Sequence, residues 1–133
     1  MSKAGGFLMR FIGLDAGSVS VKYVVLDENG TKLNSSYVRH KGHPLKVAYE
    51  MLKSVTRDAL CNQELKIQDN HASSSENSEL KTLNSGFSLS ITGSAGRLIA
   101  SVLGIEPVNE LVAQAYATGK LSPHVRTIIE LGG

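Results

Sequence analysis

Two apolar runs, Phe11 to Leu14 and Val21 to Leu26, flank a polar segment, Asp15-Ala16-Gly17-Ser18-Val19-Ser20, and the pattern predicts strand, turn, strand. Asp27-Glu28-Asn29-Gly30 follows. Its Asn-Gly pair predicts a hairpin turn in which both residues accept positive φ. A third strand over Lys32 to Arg39 then runs antiparallel to the second, and its lack of clean alternation suits a sheet edge. Lys41-Gly42-His43-Pro44 breaks the chain and opens a helix, with Pro44 in the first turn, where its missing N–H does no harm. Leu45, Ala48, Leu52, Val55 and Ala59 recur at spacings of three and four, while Lys46, Glu50, Lys53 and Arg57 line the other side. That periodicity predicts an amphipathic helix packed on the sheet.

From Asn62 to Gly86 the chain turns polar, with Ser73-Ser74-Ser75 and several Asn, Glu and Lys. Residues 62–86 are expected to form a mobile surface insertion, being long for a connection inside a compact domain. A short hairpin around Leu65 to Ile67 and Leu80 to Leu83 is the lesser alternative. Phe87 to Thr92 reads as a buried strand, followed by the glycine-rich turn Gly93-Ser94-Ala95-Gly96-Arg97 and a helix over Leu98 to Leu103 stopped by Gly104. Such a turn either offers N–H groups to an anion at the helix N-terminus or lets two backbones pack closely. Both readings stay open at this point. Ile105 to Val108 is a further short strand, and Asn109 is an N-cap for a helix through Leu111, Val112, Ala115 and Tyr116, closed by Gly119. Val125 to Leu131 is a last β-rich run, and the chain ends at Gly132-Gly133. Glycines in that place serve a turn into another strand, so the sequence is expected to be a piece of a longer protein. Residues 1–8 form a loose tail, 9–119 one lobe, and 120–133 the start of a second.

Composition narrows the function classes. At 133 residues the lobe is large enough for a core, and 41% hydrophobic with 20% charged residues is ordinary for a globular chain. A net charge of +2 with no basic run argues against nucleic acid or an anionic membrane as partner. Phe7 to Leu14 is interrupted by Arg10 and is too short for a secretory leader, and no stretch approaches a membrane span, so a cytoplasmic location is expected. The single cysteine, Cys61, excludes an internal disulfide and cannot by itself hold a metal or a cluster; a small apolar residue near a helix end is its ordinary role. His40 and His43 have no carboxylate or cysteine beside them and read as surface histidines rather than metal ligands.

The chemistry concentrates between Asp15 and Lys22. A tight bend between paired strands leaves backbone N–H groups without ladder partners, and Gly17 has no Cβ to keep an incoming group away. Such a bend can cradle a phosphate. Ser18 and Ser20 add hydroxyls, Lys22 a mobile positive charge, and Asp15 a carboxylate able to hold a hydrated magnesium ion. The plainer reading is a turn and nothing more, since Asp, Gly and Ser are ordinary turn residues. Two features favour chemistry: Asp15 directly follows a buried-looking run, where an unpaired carboxylate is costly, and Lys22 interrupts an otherwise apolar strand.

Three blocks carry a family resemblance: Gly13-Leu14-Asp15-Ala16-Gly17-Ser18-Val19-Ser20-Val21-Lys22, Ile91-Thr92-Gly93-Ser94-Ala95-Gly96-Arg97, and Ile128-Ile129-Glu130-Leu131-Gly132-Gly133. In order and spacing they resemble the ATPases that activate 2-hydroxyacyl-CoA dehydratases and benzoyl-CoA reductases, within the acetate and sugar kinase, heat-shock protein 70 and actin superfamily. The resemblance implies an α/β, ribonuclease-H-like fold, with a mixed sheet of order 3-2-1-4-5, the second strand antiparallel and helices on both faces, as the first lobe of an actin-like ATPase. It implies ATP and magnesium as cofactors, with Asp15 as the catalytic and magnesium-orienting residue acting through water. Gly17, Ser18, Val19, Ser20 and Lys22 would form the first phosphate loop, and Gly132 and Gly133 would begin the second. It further implies a 2-hydroxyacyl-CoA dehydratase or benzoyl-CoA-reductase-like component as partner, and a homodimer sharing a [4Fe-4S] cluster whose cysteines are not in this chain. The lobe alone is expected neither to hydrolyse ATP nor to carry electrons. The chain departs from the family at Glu130, where aspartate is usual, and at Val19, where threonine is common. Two other readings accompany this one: a lobe of a sugar or carboxylic-acid kinase, and a non-enzymatic nucleotide-sensing or scaffolding module.

Overall fold

The computed structural model describes residues 9–64 and 86–129. The elements run β1 (Arg10–Ala16), β2 (Ser20–Leu26), β3 (Lys32–Arg39), α1 (Pro44–Glu64), β4 (Phe87–Thr92), α2 (Gly96–Leu103) and α3 (Glu110–Leu121). The four strands form one mixed sheet in the order β3-β2-β1-β4, with β2 antiparallel to β1 and to β3, and β4 parallel to β1. Those four positions match the expected order.

Strand alternation sorts the sheet into two faces. Ile12, Leu14 and Ala16 of β1 share one face with Val21 and Val25 of β2 and Ile91 of β4, and all six are buried. α1 supplies Ala48, Met51 and Val55 to this core, and α2 supplies Ile99 and Ala100. The largest wholly buried side chains, Leu14, Val21 and Ile91, meet at the centre of the sheet, and burial of each stabilises the fold by about 1.5–3 kcal/mol. The apolar stripe of α1 is rotated from its expected centre: Met51 is buried, whereas Leu45 stays exposed and Leu52 only half-buried. The helix also continues through Cys61 and Asn62 to Glu64, into the stretch expected to be the polar insertion.

Several expectations change. Helices were expected on both faces; α1 and α2 pack on the core face, while α3 borders the other through Ala113 and buries no residue. The expected fifth strand at Ile105 to Val108 does not form, and a single ladder bond, from Val108 N–H to Ile91 O at 2.7 Å, marks its place along β4. Of the last β-rich run, residues 125–129 pair with no strand among the described residues, and 130–131 lie outside them. The expected loose tail, 1–8, and most of the insertion also lie outside the described residues. In the β2–β3 turn, Gly30 alone takes positive φ, because Asp27 Oδ1 accepts from the Asn29 and Thr31 N–H groups and fixes a longer loop than the two-residue Asn-Gly turn. β3 is an edge strand, as expected, with Leu33 and Tyr37 exposed.

The β3–α1 connection carries the one non-glycine residue with positive φ among the described residues, Lys41 at φ 47°. Replacing Lys41 by glycine removes that strain, so K41G is expected to be more stable by about 0.5–1 kcal/mol in urea unfolding.

Candidate functional site

Because β1 and β2 are joined by a short bend, their register puts Asp15 directly across from Lys22, on the sheet face opposite the core. Lys22 Nζ lies 3.1 Å from Asp15 Oδ2. With side-chain exposures of 50% and 34%, this pair is worth no more than about 1 kcal/mol in solvent-screened surroundings. The other carboxylate oxygen is different. Asp15 Oδ1 is buried and has no hydrogen-bond partner among the described residues.

β4 brings the second half of the arrangement. Its parallel register sets Thr92 beside Asp15, and Thr92 Oγ1 is likewise buried without a partner among the described residues. Directly after it, Gly93 at φ 96° lets the chain turn against the end of β1. A Cβ on Gly93 would lie 2.4 Å from Ala16 O and 2.6 Å from Asp15 Oδ1. Ala95 N–H donates to Ala16 O at 2.8 Å, so the β4–α2 turn is fastened to the β1–β2 bend. The turn does pack closely: the Ala95 and Gly96 N–H groups are taken by Ala16 O and Gly93 O, so these two are not available to an anion.

The bend itself is open. Gly17 N–H donates to Ser20 O at 2.9 Å and closes the hairpin, whereas the N–H groups of Ser18 and Val19 meet no acceptor among the described residues. Gly17 has no positive φ, and a Cβ there would sit 3.7 Å from Ser20 O, an ordinary contact. The fold does not require glycine at this position, so the space beside the bend is free for a ligand. Ser18 and Val19 are exposed, and Ser20 is buried on the face shared with Lys22. The Ser20 hydroxyl, and after it the Arg39 guanidinium, hold the Tyr37 phenol below its ordinary value of 10.0.

Asp15, Lys22 and Thr92 open onto a cleft of about 330 Å³ on the second sheet face, floored by Gly13, Val24 and Ser90 and bordered by Val108 and Ala113. Among the described residues no group of three or more His, Cys, Asp or Glu side chains could hold a metal. Magnesium, which is commonly held by one or two carboxylates together with phosphate oxygens, fits this donor set only as a phosphate complex. Asp15 Oδ1 and Thr92 Oγ1, unpartnered among the described residues, are suited to accept from its bound waters. A [4Fe-4S] cluster does not fit, since Cys61 is the chain's one cysteine.

Of the residues expected from sequence, Asp15, Gly17, Ser18, Val19, Ser20 and Lys22 are thus gathered at one end of β1 and β2, while Gly132 and Gly133 lie outside the described residues. Thr92 is an addition, and Gly93, read from sequence as part of a candidate anion turn, enters through its contact with Asp15 and Ala16. Thr92 has a legible signal, a polar residue closing an apolar strand. His40 is a correction: it is 8% exposed, not a surface histidine. Its ring lies 3.2 Å from Gly17 O through Nε2 and accepts the Gly42 N–H at Nδ1, 3.1 Å away.

No protein-family model matches this chain. No curated protein matches it either. Among solved structures, it is similar to the Aquifex aeolicus member of the Ppx/GppA protein family, with 12% identity and a TM-score of 0.45, over 86% of this chain and 39% of that one. The chain therefore spans about two fifths of the length of that structure. A likeness of that size leaves the reading of the site to its own residues. No described helix is long and apolar enough to cross a membrane.

Proposed function

We propose that this chain is an ATP-binding lobe of an ATP-dependent activator, one that drives electron transfer to a CoA-ester dehydratase or reductase. The observation that carries the nucleotide part is the carboxylate of Asp15. One oxygen is held by Lys22 and the other is buried without a partner, beside the equally unpartnered Thr92 hydroxyl and an open bend with free N–H groups. An arrangement that leaves a carboxylate oxygen unsatisfied costs about 1–3 kcal/mol, and it persists where a ligand uses that atom.

In this reading Asp15 would hold a magnesium-bound water, with Oδ1 as the acceptor. Ser18 and Val19 offer backbone N–H groups to phosphate oxygens, Ser18 and Ser20 add hydroxyls, and Gly17 leaves room for their approach. Lys22 exchanges its bond to Asp15 for one to the phosphates, as cations do in other phosphoryl transfers. Gly132 and Gly133 would begin the facing phosphate loop. Magnesium-bound ATP would supply the phosphoanhydride, and a change in the angle between lobes on its hydrolysis is what the resemblance of the sequence blocks implies. The activator role, with its dehydratase or reductase partner and homodimer, rests on the resemblance of the three sequence blocks; since one cysteine does not fit a cluster, no electron step is derived for this chain.

Calorimetric titration of the chain with ATP, with and without magnesium, tests the nucleotide part. Saturable binding that is lost on adding EDTA is expected, and no magnesium-dependent binding overturns the reading. A parent protein that releases inorganic phosphate without phosphorylating a sugar or carboxylic acid separates the activator from a kinase.

A further inference from the structure

We infer that His40 is the positioning residue of the β1–β2 bend, setting the direction of the Ser18 N–H that faces the phosphates; this rests on the nucleotide reading above. The imidazole stands between two backbone groups of opposite kind. Gly42 N–H can only donate, so Nδ1 accepts; Gly17 O can only accept, so Nε2 carries the proton. The ring is therefore neutral, with both nitrogens satisfied, and it is buried. The backbone of the same residue adds a second hold, since His40 N–H donates to Val19 O at 3.1 Å.

A trans peptide points its C=O and the next N–H in opposite directions. With Gly17 O drawn to the imidazole, Ser18 N–H must point away from it; with Val19 O drawn to His40 N–H, Ser20 N–H must do the same. The imidazole thus turns the Gly17 carbonyl inward and aims the Ser18 amide outward, the polarity an anion requires, while the bond to Val19 O anchors the far side of the bend, where Ser20 faces β1. The strained turn that follows serves the same hold. Lys41 at φ 47° brings Gly42 N–H back onto Nδ1, which fixes the ring's tautomer and plane. A buried histidine that only filled space would need neither the strain nor the two-sided hydrogen bonding.

Two variants divide the ring's bonds. In H40N the shorter side chain keeps an acceptor near Gly42 N–H and loses reach to Gly17 O; in H40Q a donor still reaches Gly17 O. In the labelled free chain, H40N is expected to shift the Ser18 amide resonance, whereas H40Q holds it near wild type. MgATP affinity should fall about tenfold in H40N, the worth of one hydrogen bond, with most of that loss recovered in H40Q. Independently of any variant, the wild-type imidazole nitrogen shifts should show a neutral ring protonated at Nε2. A proton on Nδ1, an H40N bend indistinguishable from wild type, or equal affinity losses in both variants overturns the inference. If wild type fails to bind MgATP while the bend responds as described, the nucleotide reading fails and the positioning role stands.

Discussion

G93A is expected to lose about 3–5 kcal/mol of folding free energy, a large part of the roughly 5–15 kcal/mol that holds a domain of this kind together. Two effects add. An alanine at φ 96° sits in a region that L-residues enter at a cost of about 1–2 kcal/mol. Its Cβ would also lie 2.4 Å from Ala16 O, and neither atom belongs to a side chain that can swing aside. Relief requires the β4–α2 turn to withdraw from β1, which breaks the 2.8 Å bond from Ala95 N–H to Ala16 O and uncovers Asp15. Gly104 separates the two effects: it has φ 67° and a Cβ there would meet nothing within 4 Å, so G104A should cost only about 1 kcal/mol. Urea unfolding of both variants checks this, and equal losses would show that conformation alone, not contact with β1, fixes Gly93.

Asp15→Asn should move stability and binding in opposite directions. The substitution removes the charge behind a buried oxygen that has no partner, and it costs only the screened attraction to a half-exposed Lys22. Folding free energy is expected to be unchanged or higher by up to about 2 kcal/mol. MgATP affinity, by contrast, should fall roughly 10–100-fold, the loss typical of removing a group that orients a metal's bound ligands. Thermal unfolding and calorimetry on the same preparation decide it. If both quantities fall together, Asp15 is a structural partner of Lys22 and not the ligand-facing carboxylate of this site.

Much of this arrangement is legible in the order of residues alone. Apolar runs bounded by Asp-Ala-Gly-Ser and by Asn-Gly predict three antiparallel strands, and a short bend forces Asp15 and Lys22 to face each other. What escapes depends on contacts between segments distant in sequence. His40 follows an edge strand and looks like any surface histidine; its burial depends on Gly17 O and Gly42 N–H closing around it. The Gly93 turn is ambiguous because close packing and anion binding use the same glycines, and the packing becomes visible only with the position of Ala16 O. The expected fifth strand is reduced to a single bond, from Val108 N–H to Ile91 O, which the apolar content of Ile105 to Val108 does not reveal.

The parallel pairing of β1 with β4 also bears on how the chain folds. β1, β2 and β3 are linked by short turns and can zip together early, whereas β4 joins β1 only after α1 and everything following it has been spanned, a closure that is slow for entropic reasons. Asp15 and Lys22 come with the early hairpin, but Thr92 and Gly93 arrive with β4. A nucleotide that needs both halves finds no foothold on the hairpin alone, so it should slow unfolding without accelerating the hairpin's formation, and its capture would time the last docking event of the fold.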